Sequence, residues 1–335
     1  MRVYRAGRLS GLRSLTLLHA MARLGYEGML ITSPAETFLS VGFLDNAPEL
    51  VDLEKCRRMG VPVIRRELGG GAVLLDGDQV FYQLILRRGS PLLPFRVQEA
   101  YRILSEPVLR VYRRLGIEAA YRPVNDIVVR DTGRKISGQG AGDIGKCFVF
   151  AGNLLLRFNV DLMAELFRVP EELRPLLREV LGENLTWVER ETGRKPSYLE
   201  VEELLIEEFS RLMDFEGEFE VPPEAVSLAD RIREELTSEE TLLEDTGRRH
   251  SFLKIREGVY LRLVRSEEAE LELLVREGKL ERVRLRGERI PEGLGEELKG
   301  TPWEEGPLRE RIRRFLGRED PDLERELLRL VLGKG

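Results

Sequence analysis

One stretch limits what this chain can fold into more than any other: Arg65-Arg66-Glu67-Leu68-Gly69-Gly70-Gly71-Ala72-Val73-Leu74-Leu75-Asp76. An apolar run, Val61-Pro62-Val63-Ile64, ends at two arginines, and a second apolar run resumes after three glycines. Consecutive glycines lose much backbone entropy on folding, so a fold keeps them where positive φ or close backbone approach is needed. The pattern predicts a strand, a tight glycine turn and a returning strand, with bare N–H groups facing a ligand. Such a nest suits an anion, and Arg65 or Arg66 can close on a phosphate or carboxylate as a bidentate fork. The same residues also fit a plain hairpin with two solvated arginines, because a glycine run alone is a weak motif.

A second stretch narrows the choice. Val124-Asn125-Asp126-Ile127-Val128-Val129 and Gly133-Arg134-Lys135-Ile136-Ser137-Gly138 read as a strand, a polar turn and a strand beginning at Lys135. In order and spacing the two stretches together resemble the lipoate–protein ligase A family, within the larger lipoate/biotin ligase and octanoyltransferase group. The match extends through Asn153-Leu154-Leu155-Leu156. The resemblance implies an α+β fold: a large mixed-sheet catalytic domain of the biotin/lipoate ligase (class II synthetase-like) type and a small α+β accessory domain. Residues 1–222 are expected to form the first, 223–247 a linker helix and hinge, and 248–335 the second. The family's accessory domain swings between its two reaction steps, so a hinge is expected at Pro222-Pro223 and across residues 237–249.

The resemblance also implies the chemistry. A ligase of this family joins lipoate or octanoate to ATP, with Mg²⁺, as an acyl adenylate. It then passes the acyl group to a lysine of a lipoyl carrier, whether an E2 lipoyl domain, a glycine-cleavage H protein or a dedicated lipoate-binding protein. Lys135 falls at the family's key lysine, between the carboxylate and the α-phosphate. Gly69, Gly70, Gly71 and Ala72 give room and backbone approach, and Arg66 contacts the carboxylate or phosphate. Asn125 and Asp126 fall on the nucleotide side, Asp126 near a Mg²⁺ held through the phosphates; no protein-held metal is expected. Gln79 stands where the family has an adenylate-contacting Asn. Ser137 and Gly138 belong to the lysine stretch, and Gly152 and Asn153 lie near the acyl pocket. The plain alternatives are a solvated turn lysine beside Arg134, a strand-edge pair at Asn125-Asp126, and a sheet-edge Gln79.

The departures from the family pattern all run in one direction. Leu68 replaces a usual Ser, Leu75 a usual His and Ala151 another His, so each makes the site more apolar. They leave the acyl substrate open. The runner-up is an octanoyltransferase, in which a cysteine carries the acyl group as a thioester; Cys147 is its candidate, although Phe148-Val149-Phe150 argue for a buried, inert thiol. A carrier-binding scaffold without activity is the third reading. Biotin ligation is disfavoured, because no Gly-Arg-Gly-Arg-x-Gly-Arg run is present.

Composition removes other classes. The chain has 335 residues and a net charge of −6, which excludes a broad nucleic-acid face. Only two histidines occur, His19 in a helix-like apolar segment and His250 in an Arg-rich loop, so a His-based triad or multi-His metal site is excluded. The two cysteines, Cys56 and Cys147, lack zinc-type spacing. No apolar run reaches membrane-spanning length, about 18 residues, and a cytoplasmic monomer that does not touch membranes is expected. Abundant Glu and Arg hint at a thermophile.

Along the chain, Ser14 to Leu24 reads as an amphipathic helix stopped by Gly25. Pro94 to Gly116 is a long helix with Val97, Tyr101, Leu104, Val108, Tyr112 and Leu115 on one face, bent at Pro107. Strands are expected at Met29–Thr32, Val41–Phe43, Val80–Leu86, Ile127–Val129, Phe148–Phe150 and Leu154–Phe158. Gly138 to Lys146 reads as a flexible hairpin loop, since no helix follows it as a nucleotide loop requires. A helix near Leu173–Leu181 precedes an ordered loop over 184–194. After Pro222-Pro223, three strands joined by polar turns form an antiparallel meander, followed by three helices.

Overall fold

The structure is a computed structural model and describes all residues except 95, 248–251, 266–268, 318–320 and 334–335. His250 and the turn Ser266-Glu267-Glu268 fall outside the described residues. Two compact units result, Met1–Phe167 with Gly182–Arg248, and Arg168–Leu181 with Arg249–Gly335.

The strands are β1 (Arg2–Leu9), β2 (Gly28–Pro34), β3 (Phe38–Val41), β4 (Val63–Arg65), β5 (Val73–Leu75), β6 (Gln79–Arg87), β7 (Ala119–Arg122), β8 (Asp126–Val129), β9 (Lys135–Ile144), β10 (Cys147–Leu155), β11 (Gly217–Phe219), β12 (Leu253–Arg256), β13 (Val259–Arg265), β14 (Ala269–Arg276) and β15 (Lys279–Gly287). The helices are α1 (Arg13–Leu24), α2 (Ala47–Leu50), α3 (Leu53–Arg58), α4 (Val97–Arg114), α5 (Val160–Leu166), α6 (Arg174–Asn184), α7 (Val188–Thr192), α8 (Tyr198–Ser210), α9 (Pro223–Thr237), α10 (Glu239–Leu243), α11 (Leu294–Leu298), α12 (Glu305–Leu316) and α13 (Pro321–Leu332).

The first unit is built on a mixed eight-stranded sheet in the order β11-β1-β2-β6-β10-β9-β8-β7. β6 is central because Gln79 to Leu86 carries no charge and every one of these residues is buried. Successive side chains of a strand face opposite ways. Tyr82 and Leu84 thus join the core under α4 and α8, with Leu104, Val108, Tyr112, Phe150 and Phe209. Phe81 and Ile85 join the core under α1 and α9, with Leu18, Leu30, Val149, Ala225 and Ile232. Helix α1 ends at Gly25 in the left-handed region, φ 79°, as its sequence predicts. Helix α4 runs unbroken through Pro107.

Two local readings are corrected. The glycine run is not the turn of a hairpin. β4 and β5 do not pair with each other; they flank β3, parallel to β4 and antiparallel to β5. The glycine loop therefore passes across the end of β3, which is a strand from Phe38 to Val41 and not at Val41–Phe43. Second, residues 138–144, expected to be a loop, are the body of β9, which pairs with β10 from Gln139 to Ile144. Low β-propensity is overridden here because residues 139–144 pair with β10 along one edge, and Gly138 pairs with Asp126 of β8 on the other. The two strands expected at 148–158 are the single β10, and the expected loop at 184–194 contains α7.

Arg65 has a different task from the one its position suggests. Its guanidinium is buried and donates to the carbonyls of Phe43 (3.2 Å), Asp45 (2.6 Å), Thr241 (2.9 Å), Leu242 and Glu244 (3.4 Å each). It binds the end of β4 to the last turn of α10 and offers no fork to a ligand. Arg65→Met is expected to destabilise the first unit by about 3 kcal/mol, since bonds to a charged donor are worth roughly 1.5–3 kcal/mol and several are lost together. Urea unfolding checks this, and a loss below about 1 kcal/mol would contradict it.

The second unit contains a four-stranded antiparallel sheet, β12-β13-β14-β15. The expected three-stranded meander gains β12 because Leu253 and Lys254 pair with Leu261 and Tyr260. Leu271, Leu273 and Val275 of β14 pack with Leu294, Leu308, Ile312, Leu327 and Val331 of α11–α13.

Candidate active site

Four neighbouring strands of the large sheet, β6, β10, β9 and β8, bring the singled-out residues to one end of it. Lys135 opens β9. Its Nζ lies 2.8 Å from Asp126 Oδ1 on β8, with the carboxylate fully buried and the lysine side chain 22% exposed. A shift of register between Ile127 and Val128 lets the two meet. The ammonium also lies against Gly138, where an added Cβ would stand 3.2 Å from Nζ. Asp126 is thus the lysine's partner. Among the described residues no group of three His, Cys, Asp or Glu is placed to hold a metal.

A chain of hydrogen bonds fixes the strands behind this lysine. Gln79 donates to Leu74 O (3.0 Å), Asn153 Nδ2 to Gln79 Oε1 (2.7 Å), the Gly138 N–H to Asn153 Oδ1 (3.2 Å), and Ser137 Oγ to Asn153 O (2.5 Å). Gln79, Ser137, Gly138 and Asn153 are therefore brought together, with their polar groups spent on one another. Asn125 donates to Gln139 O at 2.6 Å and closes the end of the β8–β9 pair. Gly152 is required by Tyr82, whose hydroxyl would sit 2.2 Å from an added Cβ; that hydroxyl accepts from Gln139 Nε2 at 3.0 Å.

The glycine loop covers this floor. Gly69, Gly70 and Gly71 are exposed, and Gly70 has φ 101°. Arg66 arches back over the loop and donates to Gly69 O and Gly71 O (2.9 Å each) and to Ser40 O and Oγ (3.2 Å each). Although its surface is part-exposed, protein atoms surround the guanidinium, and desolvation pushes its pKa down to about 10, opposed by Asp45 and Tyr101. It stays charged at neutral pH and braces the loop in which Ala72 also lies. Leu68, at the position of the family's Ser, rests on β9 within 3.4 Å of a Cβ built on Gly142 and 3.9 Å of one on Gly140. The glycines of β9 thus make room for the loop above them.

Gly138, Gly140, Gly142 and Ala151 are all partly accessible although they lie inside an eight-stranded sheet. Their exposure marks an open trough, with small residues as its floor, the glycine loop on one side and Lys135 at one end. Both thiols lie outside it. Cys56 is buried and pushed up to about 11, chiefly by desolvation. Cys147 is fully buried, its pKa raised by burial and pulled back by Arg87.

Beside the loop lies a residue whose environment the sequence did not reveal. His19 is fully buried, and its Nδ1 stands 3.5 Å from Glu67 Oε2, a carboxylate already held by Arg23 at 2.8 Å. Desolvation, then the charges of Arg23 and Arg66, push its pKa down to about 3. The folded imidazole stays neutral while the unfolded one protonates near pH 6.5. Stability is therefore complete above about pH 6.5 and falls with decreasing pH towards 3, at up to about 1.4 kcal/mol per unit. His19→Gln is expected to flatten that limb of a stability-versus-pH curve between pH 6.5 and 4, and an unchanged slope would refute the assignment.

With this geometry in place, comparison with known proteins gives the class. The lipoyl protein ligase A/B catalytic domain matches residues 16–210, more than half of the chain, and the chain belongs to that family. A relative from Oceanobacillus iheyensis, the octanoyltransferase LipM, is 26% identical over 197 residues, covering 54% of this chain and 71% of that protein. Among solved structures, a bi-partite lipoate protein ligase from Thermoplasma acidophilum, studied with its E2 lipoyl domain, has a TM-score of 0.64 at 21% identity, covering 74% of this chain and 98% of that one. The P. falciparum protein LipL1 in complex with lipoate has a TM-score of 0.56 at 14% identity, covering 99% of both chains. The expected α+β architecture, a large mixed-sheet catalytic domain with a small additional domain, is the fold found. No helix among the described residues is long and apolar enough to cross a membrane.

Proposed function

We propose that the protein is an acid-activating acyl ligase that converts lipoate or octanoate to an acyl adenylate and delivers the acyl group to a lysine of a lipoyl carrier domain. One observation carries the choice of ligase over thioester transferase. The chain's two cysteines are both buried with raised pKa, so neither presents a thiolate to carry an acyl group. The fixed cation of the trough is Lys135, and charge development on phosphate and carbonyl oxygens calls for such a group held in a water-poor site.

ATP supplies the leaving group: a carboxylate oxygen bonds to the α-phosphorus and pyrophosphate departs. Lys135 holds the carboxylate and takes up negative charge on the α-phosphate. Asp126 keeps the ammonium aimed. Arg66 and Gly69–Gly71 close over the acyl chain, with Ala72 and Gly138 giving it space. Gln79, Asn125, Ser137 and Asn153 keep the strands in register beneath it. Mg²⁺ would be held through the ATP phosphates, near Asp126, and would help to offset their charge. In the second step the carrier amine attacks the acyl carbon and AMP leaves; Lys135 steadies the oxyanion.

The relatives named octanoyltransferases support the second reading, thioester transfer through Cys147. Pyrophosphate exchange into ATP separates the two. Exchange dependent on lipoate or octanoate, retained in full by Cys147→Ser, is expected. Absence of exchange with either acid, together with an octanoyl adduct on Cys147 in the intact mass after incubation with an octanoyl thioester, would replace the ligase by the transferase. A protein that binds a carrier domain and does neither would be a scaffold.

A further inference from the structure

The floor of the trough ends at a polar group that nothing above uses. On the face under the glycine loop, strand register places four residues in one row: Gly140 on β9 opposite Ala151 on β10, Ala151 opposite Gln83 on β6, and Gln83 opposite Leu30 on β2. Residues directly opposite one another in an antiparallel pair share a face. Gln83 therefore stands on the trough face, beside Ala151, at the end away from Lys135. It is 2% exposed. Its Nε2 donates to Ser14 O at 3.2 Å, and its Oε1 has no hydrogen-bond partner. A buried amide oxygen left unmatched loses about 1–3 kcal/mol, and in a stretch, Val80 to Leu86, otherwise built from Val, Phe, Tyr, Leu and Ile such a residue invites a partner from the ligand.

The spacing fits an acyl chain. Gly138, where the Lys135 ammonium lies, and Gln83 are separated by two strand spacings and one two-residue step, about 12 Å in all, while an extended eight-carbon acyl chain spans about 9 Å. With the carboxylate at Lys135, the last carbons reach to within a side-chain length of the Gln83 amide. Along this row of the sheet Ala151 stands between Gly140 and Gln83, and Leu68 and Gly69 O of the glycine loop lie over Gly140.

Building on the acyl-ligase reading, we propose that Gln83 is a specificity-determining residue that reads the far end of the acyl chain, accepting a hydrogen bond from a hydroxyl or thiol there. The favoured substrates are acyl chains bearing such a donor, a hydroxyacyl or a reduced dithiol chain, over a plain alkyl chain. Sites built to hydrogen-bond a substrate group discriminate strongly against analogues that lack it, because their own polar atom is then left unpaired.

The test compares 8-hydroxyoctanoate, dihydrolipoate and octanoate in wild type, Gln83→Leu and Gln83→Met. In wild type kcat/KM is expected to favour 8-hydroxyoctanoate over octanoate by about tenfold, one good hydrogen bond at 1.4 kcal/mol per decade. Both variants are expected to bring the ratio to near one by improving octanoate. The same ratio in wild type and variants would overturn the proposal and mean that the amide oxygen is satisfied by water. Turnover of no acid by wild type would instead count against the ligase reading. Thermal-shift titration with the same three acids would then decide the role of Gln83, with binding ratios equal in wild type and variants as the refuting result.

Discussion

Replacing Lys135 by methionine is expected to lower acid-dependent pyrophosphate exchange by about two to three orders of magnitude, the usual effect of removing one preorganised group that stabilises developing charge. The substitution also leaves the buried Asp126 carboxylate without its cation at 2.8 Å, and breaking a buried ion pair from one side destabilises by about 3–5 kcal/mol. A loss of activity alone is therefore ambiguous. The double variant Lys135→Met with Asp126→Asn removes both charges, and it is expected to recover most of the stability and none of the activity. Single-turnover adenylate formation and urea unfolding, measured side by side, separate the two effects. If the double variant regained activity, the ammonium would be structural and the catalytic assignment would be lost. Lys135→Arg is not expected to rescue, since a planar fork does not replace a compact ammonium resting on Gly138.

Gly42→Ala is expected to lower kcat/KM about a hundredfold. A Cβ at position 42 would stand 1.9 Å from Gly70 O and 2.9 Å from Asp45 Oδ2. The first is backbone and cannot rotate away, so the glycine loop must shift by more than 1 Å. A displacement of that size at a positioning element can reduce rate by about a hundredfold. The loop is exposed, so unfolding stability is expected to change far less than activity. Activity within threefold of wild type would show that the glycine loop does not set the geometry of the reaction.

Gly42 also shows where the sequence was silent. Gly69–Gly71 announce themselves by number, but the reason for Gly42 is a single backbone oxygen from another segment, and no local pattern carries that. Lys135, the glycine loop and the strand at Asn125-Asp126 were visible because each has its own motif and the motifs come in order. The pairing of Lys135 with Asp126 was not visible, since a register shift inside β8–β9 brings them together. β9 was misread for a related reason: its glycines look like a loop until Leu68 is seen lying on them. The place of Gln83 beside Ala151 was not visible, since it depends on the pairing of β6 with β10. Arg65 and Arg66, identical in type and adjacent in sequence, separate only in three dimensions, one gripping the last turn of α10 and the other bracing the loop.

Strand β1 lies between β2 and β11, and its outer edge is closed by Gly217–Phe219, which pair with Arg2–Tyr4. The first strand made is thus sealed by one of the last pieces of its sheet. Until that piece arrives during synthesis, β1 presents unpaired N–H and C=O groups, and open strand edges are templates for association with other chains. A fragment cut before residue 217 would keep every residue of the proposed site and still leave that edge bare, so it is expected to aggregate at concentrations where the full chain stays dispersed.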